Sequence, residues 1–364
     1  GSASGASDYI VGQLIENEVD VGFNLGVTNA DPWDREIYMS FPAYNKVDND
    51  GVSLQVDYDL GGASLTSITS QRNTDLRSNF DADFSAARLI NENLVNYTFD
   101  TFTQEIRLTS TGDSSTQWMI GAFYSDEDTK SNRTVRYGDD IKSYVNFLLA
   151  PAQTNLLGIA ELVAAGALAQ VIGSQGGDPS VVGTLTAAEI DAQLTAAQNA
   201  GAPVLTSTQM EAQFFVPGSG SVGENFDMSA QTLSLFANVD FQLTEDLMAA
   251  VGFNYTEDEK TVTSNVEVID FFASLPLPPS LAAVQFFPPF VNYADRSFDS
   301  HDLTHTLRLA YDFSEDTKVY FAHSTGFKPI SVNLSVNANN DEIGRSADPE
   351  ESENFEMGVK HVFD

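Results

Sequence analysis

Apolar and polar residues alternate with a period of two along several segments of the chain. In residues 51–59 the even positions are apolar, while the odd positions include Ser53, Gln55 and Asp57. Successive side chains of a β-strand point to opposite faces, so this pattern predicts a strand with one apolar and one polar face. Similar patterns predict eight further strands, at residues 63–75, 102–110, 117–136, 232–241, 248–256, 301–313, 318–329 and 354–363.

The predicted strands are long. Many span about 10 to 14 residues, whereas strands of soluble proteins are nearer 5 or 6. A strand that crosses a membrane at its usual tilt needs about 9–11 residues. The strand lengths therefore favour a sheet that spans a membrane.

The connections between these strands alternate in length. The short ones lie at residues 60–62, 111–115, 243–247 and 314–317, and the long ones at 79–96, 138–223, 264–296 and 331–350. In an antiparallel meander they fall on opposite edges of the sheet, as do the periplasmic turns and extracellular loops of an outer-membrane barrel. The expected fold is all-β, an antiparallel up-and-down transmembrane β-barrel wall. It holds about nine strands of a larger barrel and a helical extracellular loop.

The two faces of the predicted strands receive opposite assignments. Apolar side chains at alternate positions are expected to face lipid, and their polar neighbours the lumen. The lipid-facing candidates are Val52, Leu54, Val56, Leu233, Leu235, Val239, Leu303, Leu307 and Leu309. The lumen-facing candidates are Ser53, Gln55, Asp57, Glu105, Arg107, Asn238, Asp240, Thr306 and Arg308.

Aromatic residues cluster beside the short connections. Such clustering is typical of an interfacial girdle, although aromatic residues favour strands in any sheet. The residues concerned are Tyr58, Trp118, Phe241, Tyr311, Phe313, Tyr320 and Phe321.

The connection at residues 138–223 is rich in alanine and helical in pattern. Thr186 and Glu189 match a capping box that opens a helix, and Gly201 can close it. Helices are therefore expected near residues 152–172 and 187–200, in a long extracellular loop, and residues 1–50 are expected to form another such loop. The first helix is apolar and needs a partner, either the barrel mouth or neighbouring loops; a mobile insert without a role is the alternative. Its apolar residues include Leu156, Leu157, Ile159, Leu162 and Val163.

The same helix has a second interpretation. Residues 155–172 contain a single acid, Glu161, and approach the length of about 20 apolar residues that a spanning helix needs. No cluster of lysine or arginine flanks them, as a spanning helix would favour. A helix inside a long loop is therefore the favoured interpretation.

Composition excludes several function classes. The chain has 17 Lys and Arg against 52 Asp and Glu, a formal net charge of −35. Nucleic-acid binding is excluded because it needs a basic face. Without cysteine, the chain has neither disulfides nor thiolate metal sites. The first seven residues lack the basic and apolar regions of a secretory signal, so a mature or truncated chain is expected.

No motif predicts catalysis, a metal site or a cofactor. His301 and His305 lie about 13 Å apart on a strand, too far to share one ion. The acidic run at residues 48–51 matches only the start of a calcium loop. Solvated charge is the favoured interpretation there, and calcium bridging between loops stays open. The ligand-contact residues are not identified by any pattern.

Several segments resemble the barrel of TonB-dependent outer-membrane receptors, particularly the siderophore-type group. The similar segments are SITSQR at 67–72, FTQEIRLTS at 102–110, WMIGAFY at 118–124, YFAHSTGFK at 320–328 and PEESENFEMGVK at 349–360. Their order and spacing make the resemblance specific over residues 51–136 and 224–364. The chain departs from the family pattern after residue 328, and no plug or TonB box is found in it.

The resemblance implies a barrel of about 22 strands around a plug. Nine strands are too few to close it, and an open edge cannot face lipid, so the chain is expected to be a partial barrel domain. The implied function is energised uptake of a scarce nutrient in the cell outer membrane, without enzymatic activity or a cofactor. An iron–siderophore complex is the leading ligand, with a vitamin or oligosaccharide as alternatives. The implied partners are outer-membrane lipid and the TonB complex, reached through a plug absent from this chain.

A rival from another class is a soluble, acidic extracellular β-protein, such as a calcium-dependent adhesin. Its apolar faces would meet a second sheet instead of lipid. The strand lengths and the segregated loops count against it.

Overall fold

The described part of the chain forms one large antiparallel sheet with a helical insert. In the computed structural model it comprises residues 39–83, 87–275, 294–334 and 346–363, with isolated positions at 33, 277, 281, 284–286 and 292. The strands are β1 Tyr44–Asp59, β2 Ala63–Asn79, β3 Ile90–Ser110, β4 Thr116–Tyr137, β5 Gly220–Gln242, β6 Leu247–Val268, β7 Arg296–Ser314, β8 Thr317–Lys328, β9 Ser331–Val332, β10 Ser346–Ala347 and β11 Glu350–His361.

Nine of these strands make a single meander. They pair in the order β1-β2-β3-β4-β5-β6-β7-β8-β11, each antiparallel to its neighbours, while β9 and β10 pair only with each other. Short connections follow β1, β3, β5 and β7, and long ones follow β2, β4, β6 and β8. The predicted up-and-down topology and the segregation of loop lengths are therefore confirmed.

The strands are longer than the alternation predicts. β3 has 21 residues and β5 has 23. Toward the long loops the apolar side chains change face, so that Val222 and Phe226 of β5 lie on the face opposite Leu233, and the backbone pairing continues. The loop predictions are wrong at their boundaries, because residue 79 belongs to β2, residues 90–96 to β3 and residues 264–268 to β6. Residues 44–50 belong to β1 and residues 220–223 to β5, whereas residues 1–32 and 34–38 lie outside the described residues.

The insert between β4 and β5 holds four helices. They are α1 Ile141–Leu149, α2 Leu156–Ser174, α3 Ala187–Asn199 and α4 Ser207–Glu211. Three short 3₁₀ turns lie at Ala150–Ala152, Pro179–Thr184 and, in the loop after β6, Phe271–Ser274. The capping box of Thr186 and Glu189 opens α3 as predicted. Gly201, at φ +92°, closes it with paired backbone bonds to the last turn.

The insert shares its core with two neighbouring loops. Leu156 and Ile159 of α2 are buried together with Leu89 from the loop before β3 and Phe272 from the loop after β6. Neighbouring loops are thus a partner of the apolar helix, one of the two outcomes expected. Leu157 and Leu162 do not follow this expectation, since they stay 43% and 58% exposed. We call helices α1–α4, residues 87–90 and residues 271–275 the cap.

Helix α2 also passes a simple test for crossing a membrane. Its 19 residues have a mean hydropathy of 1.9. Core helices pass the same test, and α2 buries Leu156, Ile159 and Leu168 inside the cap. Packing inside the cap therefore explains one side of α2, while Leu157 and Leu162 on its other side stay exposed.

Two strand glycines make room for aromatic rings on the adjacent strand. Gly121 of β4 pairs with Phe236 of β5, and a Cβ at position 121 would lie 2.4 Å from a ring carbon of Phe236. Gly358 of β11 lies opposite Tyr320 of β8 in the same way, at 2.5 Å. Each ring covers the backbone of its glycine, a cross-strand contact that helps to fix the strand register.

We expect Gly121→Ala to destabilise the folded receptor by about 1–3 kcal/mol, because the new methyl group overpacks against Phe236. The measurement is denaturant unfolding of the refolded receptor. The matched control is Gly223→Ala in β5, where no atom lies within 4 Å of the added Cβ. Equal loss of stability in both variants would contradict the proposed ring contact.

Candidate functional site

The strand register places the two predicted residue sets on opposite faces of the sheet. Residues that pair directly across antiparallel strands carry their side chains on the same face. One such line of pairs runs through Val56, Ser67, Ile106, Ala122, Leu235, Tyr255 and Leu303. All nine lipid-facing candidates share this face, which we call the apolar face, and all nine lumen-facing candidates share the other, the polar face. Which environment each face meets stays a prediction.

The apolar face carries a belt of apolar side chains next to the short turns. On β5 it runs from Phe241 to Leu233 and is followed by Gln231, and on β6 it runs from Leu247 to Tyr255 and is followed by Glu257. Nine residues of tilted strand reach roughly 20–25 Å, close to the apolar band of about 25 Å on outer-membrane barrels. We call this band the apolar belt.

The belt is exposed within the described structure. Leu54, Leu235 and Leu303 are 63%, 51% and 57% exposed. Val239 is less exposed, since it is half-buried. The apolar side chains together form a surface larger than the patches that monomeric soluble proteins expose, although Ser67, Thr69 and Gln104 interrupt it at β2 and β3. It therefore favours an apolar environment.

The aromatic residues beside the short turns divide between the two faces. Tyr58, Trp118, Phe241 and Tyr311 lie on the apolar face, as a girdle requires. Tyr320 does not, because it lies on the polar face, where its hydroxyl bonds to Glu356 and its ring covers Gly358. The girdle prediction is wrong for this residue.

The polar face is rich in hydrogen-bonded charged groups. Arg107 Nη1 lies 3.1 Å from Glu105 Oε1, and Asn238 donates to Asp240 at 3.1 Å. Asp57 accepts bonds from Gln55 and from Thr66 of β2. Thr306 and Arg308 lie exposed on the same face. This surface suits water or a polar protein element and would be costly against hydrocarbon.

Beyond the belt, the polar face holds a buried ion pair near the cap. Arg133 Nη1 lies 3.1 Å from Glu224 Oε1, whose side chain is only 2% exposed, and Arg133 Nε donates to Asn93 Oδ1 at 2.9 Å. Among the residues that the structure describes, the buried Asn93 Nδ2 has no hydrogen-bond partner. The sequence did not predict this cluster, because Arg133 and Glu224 lie 91 positions apart and only the β4–β5 register joins them.

The cap is attached to the polar face at the end of β4. Tyr137 is 1% exposed and packs edge-on against Phe215 at 5.2 Å between ring centroids. Its hydroxyl donates to Asp270 Oδ2 at 3.0 Å, while the Phe272 amide donates to Asp270 Oδ1 at 3.0 Å. The Asp270 carboxylate thus connects the loop after β6 to the end of β4.

Burial dominates the ionisation of this pair. It raises the pKa of the Asp270 carboxyl, with the bonds from Phe272 and Tyr137 acting in the opposite direction. Burial and the nearby Asp270 charge raise the pKa of the Tyr137 hydroxyl. The bond therefore joins a neutral phenol to a carboxyl that takes up a proton more readily than usual.

Among the described residues, no group of three or more His, Cys, Asp or Glu has an arrangement that would hold a metal ion.

Comparisons with known proteins agree with this architecture. A family model described as "TonB dependent receptor-like, beta-barrel" matches residues 7–364. The ferric yersiniabactin uptake receptor FyuA from Yersinia pestis is similar with a TM-score of 0.54 and 12% identity, covering 88% of this chain and 34% of that one. The siderophore receptor PiuA from Acinetobacter baumannii gives 0.50 and 13%, covering 88% and 38%. At these identities the likeness shows the fold alone. No curated protein matches the sequence.

We expect Leu307→Arg to impair assembly and Thr306→Arg to be tolerated. Leu307 lies on the apolar face and the adjacent Thr306 on the polar face. An arginine on the lipid face near mid-membrane costs about 2–4 kcal/mol, whereas one in the lumen stays hydrated. The measurement is the fraction of receptor that reaches the outer membrane in heat-modifiable form. Equal effects of the two variants would contradict the assignment of the faces.

We expect the cap to loosen as pH rises through the raised pKa of Asp270. A carboxyl whose pKa is higher when the cap is docked stabilises docking below its ordinary pKa, and this contribution is lost as pH rises. The measurement is hydrogen exchange of residues 271–275 against pH, corrected for intrinsic rates. Asp270→Asn should flatten the profile.

The matched control for this pH dependence is Asp178, whose carboxylate accepts a bond from Ser180 N at the start of a 3₁₀ turn. That backbone bond lowers its pKa, so its contribution to stability is lost as pH falls, the opposite sign. A profile for residues 271–275 that depends on Asp178 and not on Asp270 would contradict the assignment.

Proposed function

Because the chain belongs to the TonB dependent receptor-like β-barrel family of the outer membrane, we propose that it supplies part of the wall and loops of a nutrient-uptake receptor. The nutrient is an iron–siderophore complex. The chain spans about a third of the length of the two solved receptors it resembles, so activity, substrate and partners are all part of the proposal.

The observation that supports this function most strongly is the two-sided sheet. Its belt fits the hydrocarbon of a bilayer, and its polar face fits a lumen filled by water and a plug. The soluble adhesin hypothesis needs a second sheet to cover the belt, and the described residues contain only the two-residue strands β9 and β10 besides the main sheet.

The cap supports an extracellular role in ligand capture. It follows β4, which rises from the short turn after β3, so it lies at the edge of the long loops. It attaches to the polar face through Tyr137, near the buried Arg133–Glu224 pair. A folded cap beside the lumen is positioned to contact a ligand before transport.

The siderophore part of the proposal rests on similar proteins. FyuA is named as a ferric yersiniabactin uptake receptor and PiuA as a siderophore receptor. By family resemblance, the TonB complex would supply the energy, acting through a plug outside the present residues. In this scheme the residues of this chain have no catalytic part; they contact the ligand and enclose its path.

The test is uptake by cells whose only siderophore receptor is the full receptor containing this chain. We expect accumulation of radioactive iron from one class among hydroxamate, catecholate and carboxylate siderophores. Accumulation should disappear when TonB is deleted. Uptake of a corrinoid vitamin or an oligosaccharide without iron uptake would overturn the siderophore assignment, and TonB-independent uptake would overturn the mechanism.

A second arm of this experiment tests the cap. Replacing residues 141–216 by a short glycine–serine linker should lower iron uptake at least tenfold with an unchanged amount of receptor at the surface. The control is Glu189→Ala, which removes an exposed helix cap on α3 and leaves the buried core intact. Unchanged uptake after the replacement would remove the ligand-contact role of the cap.

A further inference from the structure

A hydrogen-bonded group of polar side chains interrupts the apolar face at β7, β8 and β11. His305 Nε2 lies 3.4 Å from His323 Nδ1 on the neighbouring strand. His323 Nε2 lies 3.0 Å from Glu353 Oε1. Thr325 Oγ1 lies 3.4 Å from His305 Nδ1 and accepts a hydrogen bond from the His305 backbone N–H at 3.0 Å. The uptake function proposed above makes no use of this group.

The hydrogen bonds determine which ring nitrogens are available. Glu353 is an acceptor, so His323 Nε2 carries the proton and His323 Nδ1 has a free lone pair. A shift of the His305 proton from Nε2 to Nδ1, where Thr325 Oγ1 accepts it, frees the second facing nitrogen without changing the charge. Both imidazoles are then neutral, the form that binds metals.

The separation of the two facing nitrogens matches a shared metal ion. Two imidazole nitrogens at about 2.0–2.1 Å from a tetrahedral ion lie roughly 3.4 Å from each other. The rings meet at 62° with centroids 5.0 Å apart, and a shared ion requires that the side chains rotate until both lone pairs point at it. Phe355 stacks on His323 at 4.4 Å and helps to hold that ring in place.

We propose that His305 Nε2 and His323 Nδ1 together bind one divalent transition-metal ion, with Glu353 and Thr325 as positioning residues. Carboxylates and hydroxyls on the outer nitrogen orient metal-binding histidines in this manner. Two imidazoles favour Cu²⁺, Ni²⁺ or Zn²⁺ over Ca²⁺ or Mg²⁺. The observed separation fits tetrahedral Zn²⁺ directly, whereas Cu²⁺, the tightest binder of the series, prefers a tetragonal geometry and needs the two nitrogens roughly 0.5 Å closer. Water completes the coordination, and the net charge of −35 favours a cation.

The site lies near the outer end of the belt, where Glu353 is exposed and His323 is largely covered. Toward the long loops, the side chains on the apolar face of β8 change from apolar Phe321 to polar His323 and Thr325. On β11 they change in the same direction from Phe355 to Glu353, whose side chain is 63% exposed. On β7, His305 lies between Leu303 and Leu307 and opposite Phe253 of the belt, so the pair lies just inside the outer end of the belt. A bound ion would join β7 to β8 there, in addition to their backbone bonds.

The other two histidines of the chain provide controls. His301 is on the same strand as His305 but four positions away, and it packs beside Tyr255. His361 bonds to Thr317 at the short-turn end of β8 and β11. Neither has a second imidazole opposite it.

The test is Cu²⁺ binding to the full receptor, purified without a histidine tag and stripped of metal. Calorimetry should show one tight site, and the electron paramagnetic resonance spectrum should show coupling to two nitrogens. His305→Gln or His323→Gln should weaken binding at least tenfold and reduce the coupling to one nitrogen, while His301→Gln and His361→Gln should change neither. Glu353→Gln should weaken binding about 10–100-fold.

Several outcomes would overturn the site. They are absence of two-nitrogen coupling, equal weakening by the control variants, or unchanged binding in His305→Gln and His323→Gln. Glu353 is exposed, so Glu353→Gln is expected to fold and keeps the test decisive if a histidine variant fails to assemble. Full-strength Cu²⁺ binding in that variant would remove the positioning role of Glu353.

Discussion

Inside a bilayer every backbone amide and carbonyl must find its hydrogen-bond partner within the protein, because hydrocarbon offers none. The nine-stranded ladder meets this demand along each interior strand, and its strict period of two separates the side chains into an apolar and a polar face. The belt, the hydrogen-bonded polar face and the attachment of the cap all follow from that separation. The same constraint means that β1 and β11, at the edges of the described sheet, each require a neighbouring strand within a membrane.

The sequence predicted the belt well because apolar alternation is a local signal. The spacing of Leu233, Leu235 and Val239 identifies one face of β5 from the sequence of that strand alone. It failed at residues 44–50, which are mostly polar, and at residues 220–223, where Val222 packs with Val135 and Phe226 on the opposite face; only pairing with a neighbour reveals a strand there. It also missed helix α1, a nine-residue helix without a side-chain cap.

The side-chain contacts specific to this sheet join residues that are far apart in the sequence, and no sequence pattern predicts them. Tyr137 meets Asp270 across 133 positions, and Arg133 meets Glu224 across 91. His305 and His323 illustrate the same limit at short range. Spacing along the chain directs attention to His301 and His305, which lie on one strand and cannot share an ion, whereas the register brings His323 to His305. Chemistry on a sheet is determined by pairs between strands, so register must be known before such sites can be found.

The central claim is that the two faces of the sheet meet different environments, and spin labelling along β5 tests it most directly. The chain contains no cysteine, so single cysteines can be placed at residues 233–240 of the full receptor in lipid vesicles and labelled with a nitroxide. Labels at 233, 235, 237 and 239 should be relaxed by oxygen, which concentrates in hydrocarbon, and those at 234, 236, 238 and 240 by a water-soluble nickel complex. A profile without this alternation, or with the faces reversed, would contradict the account.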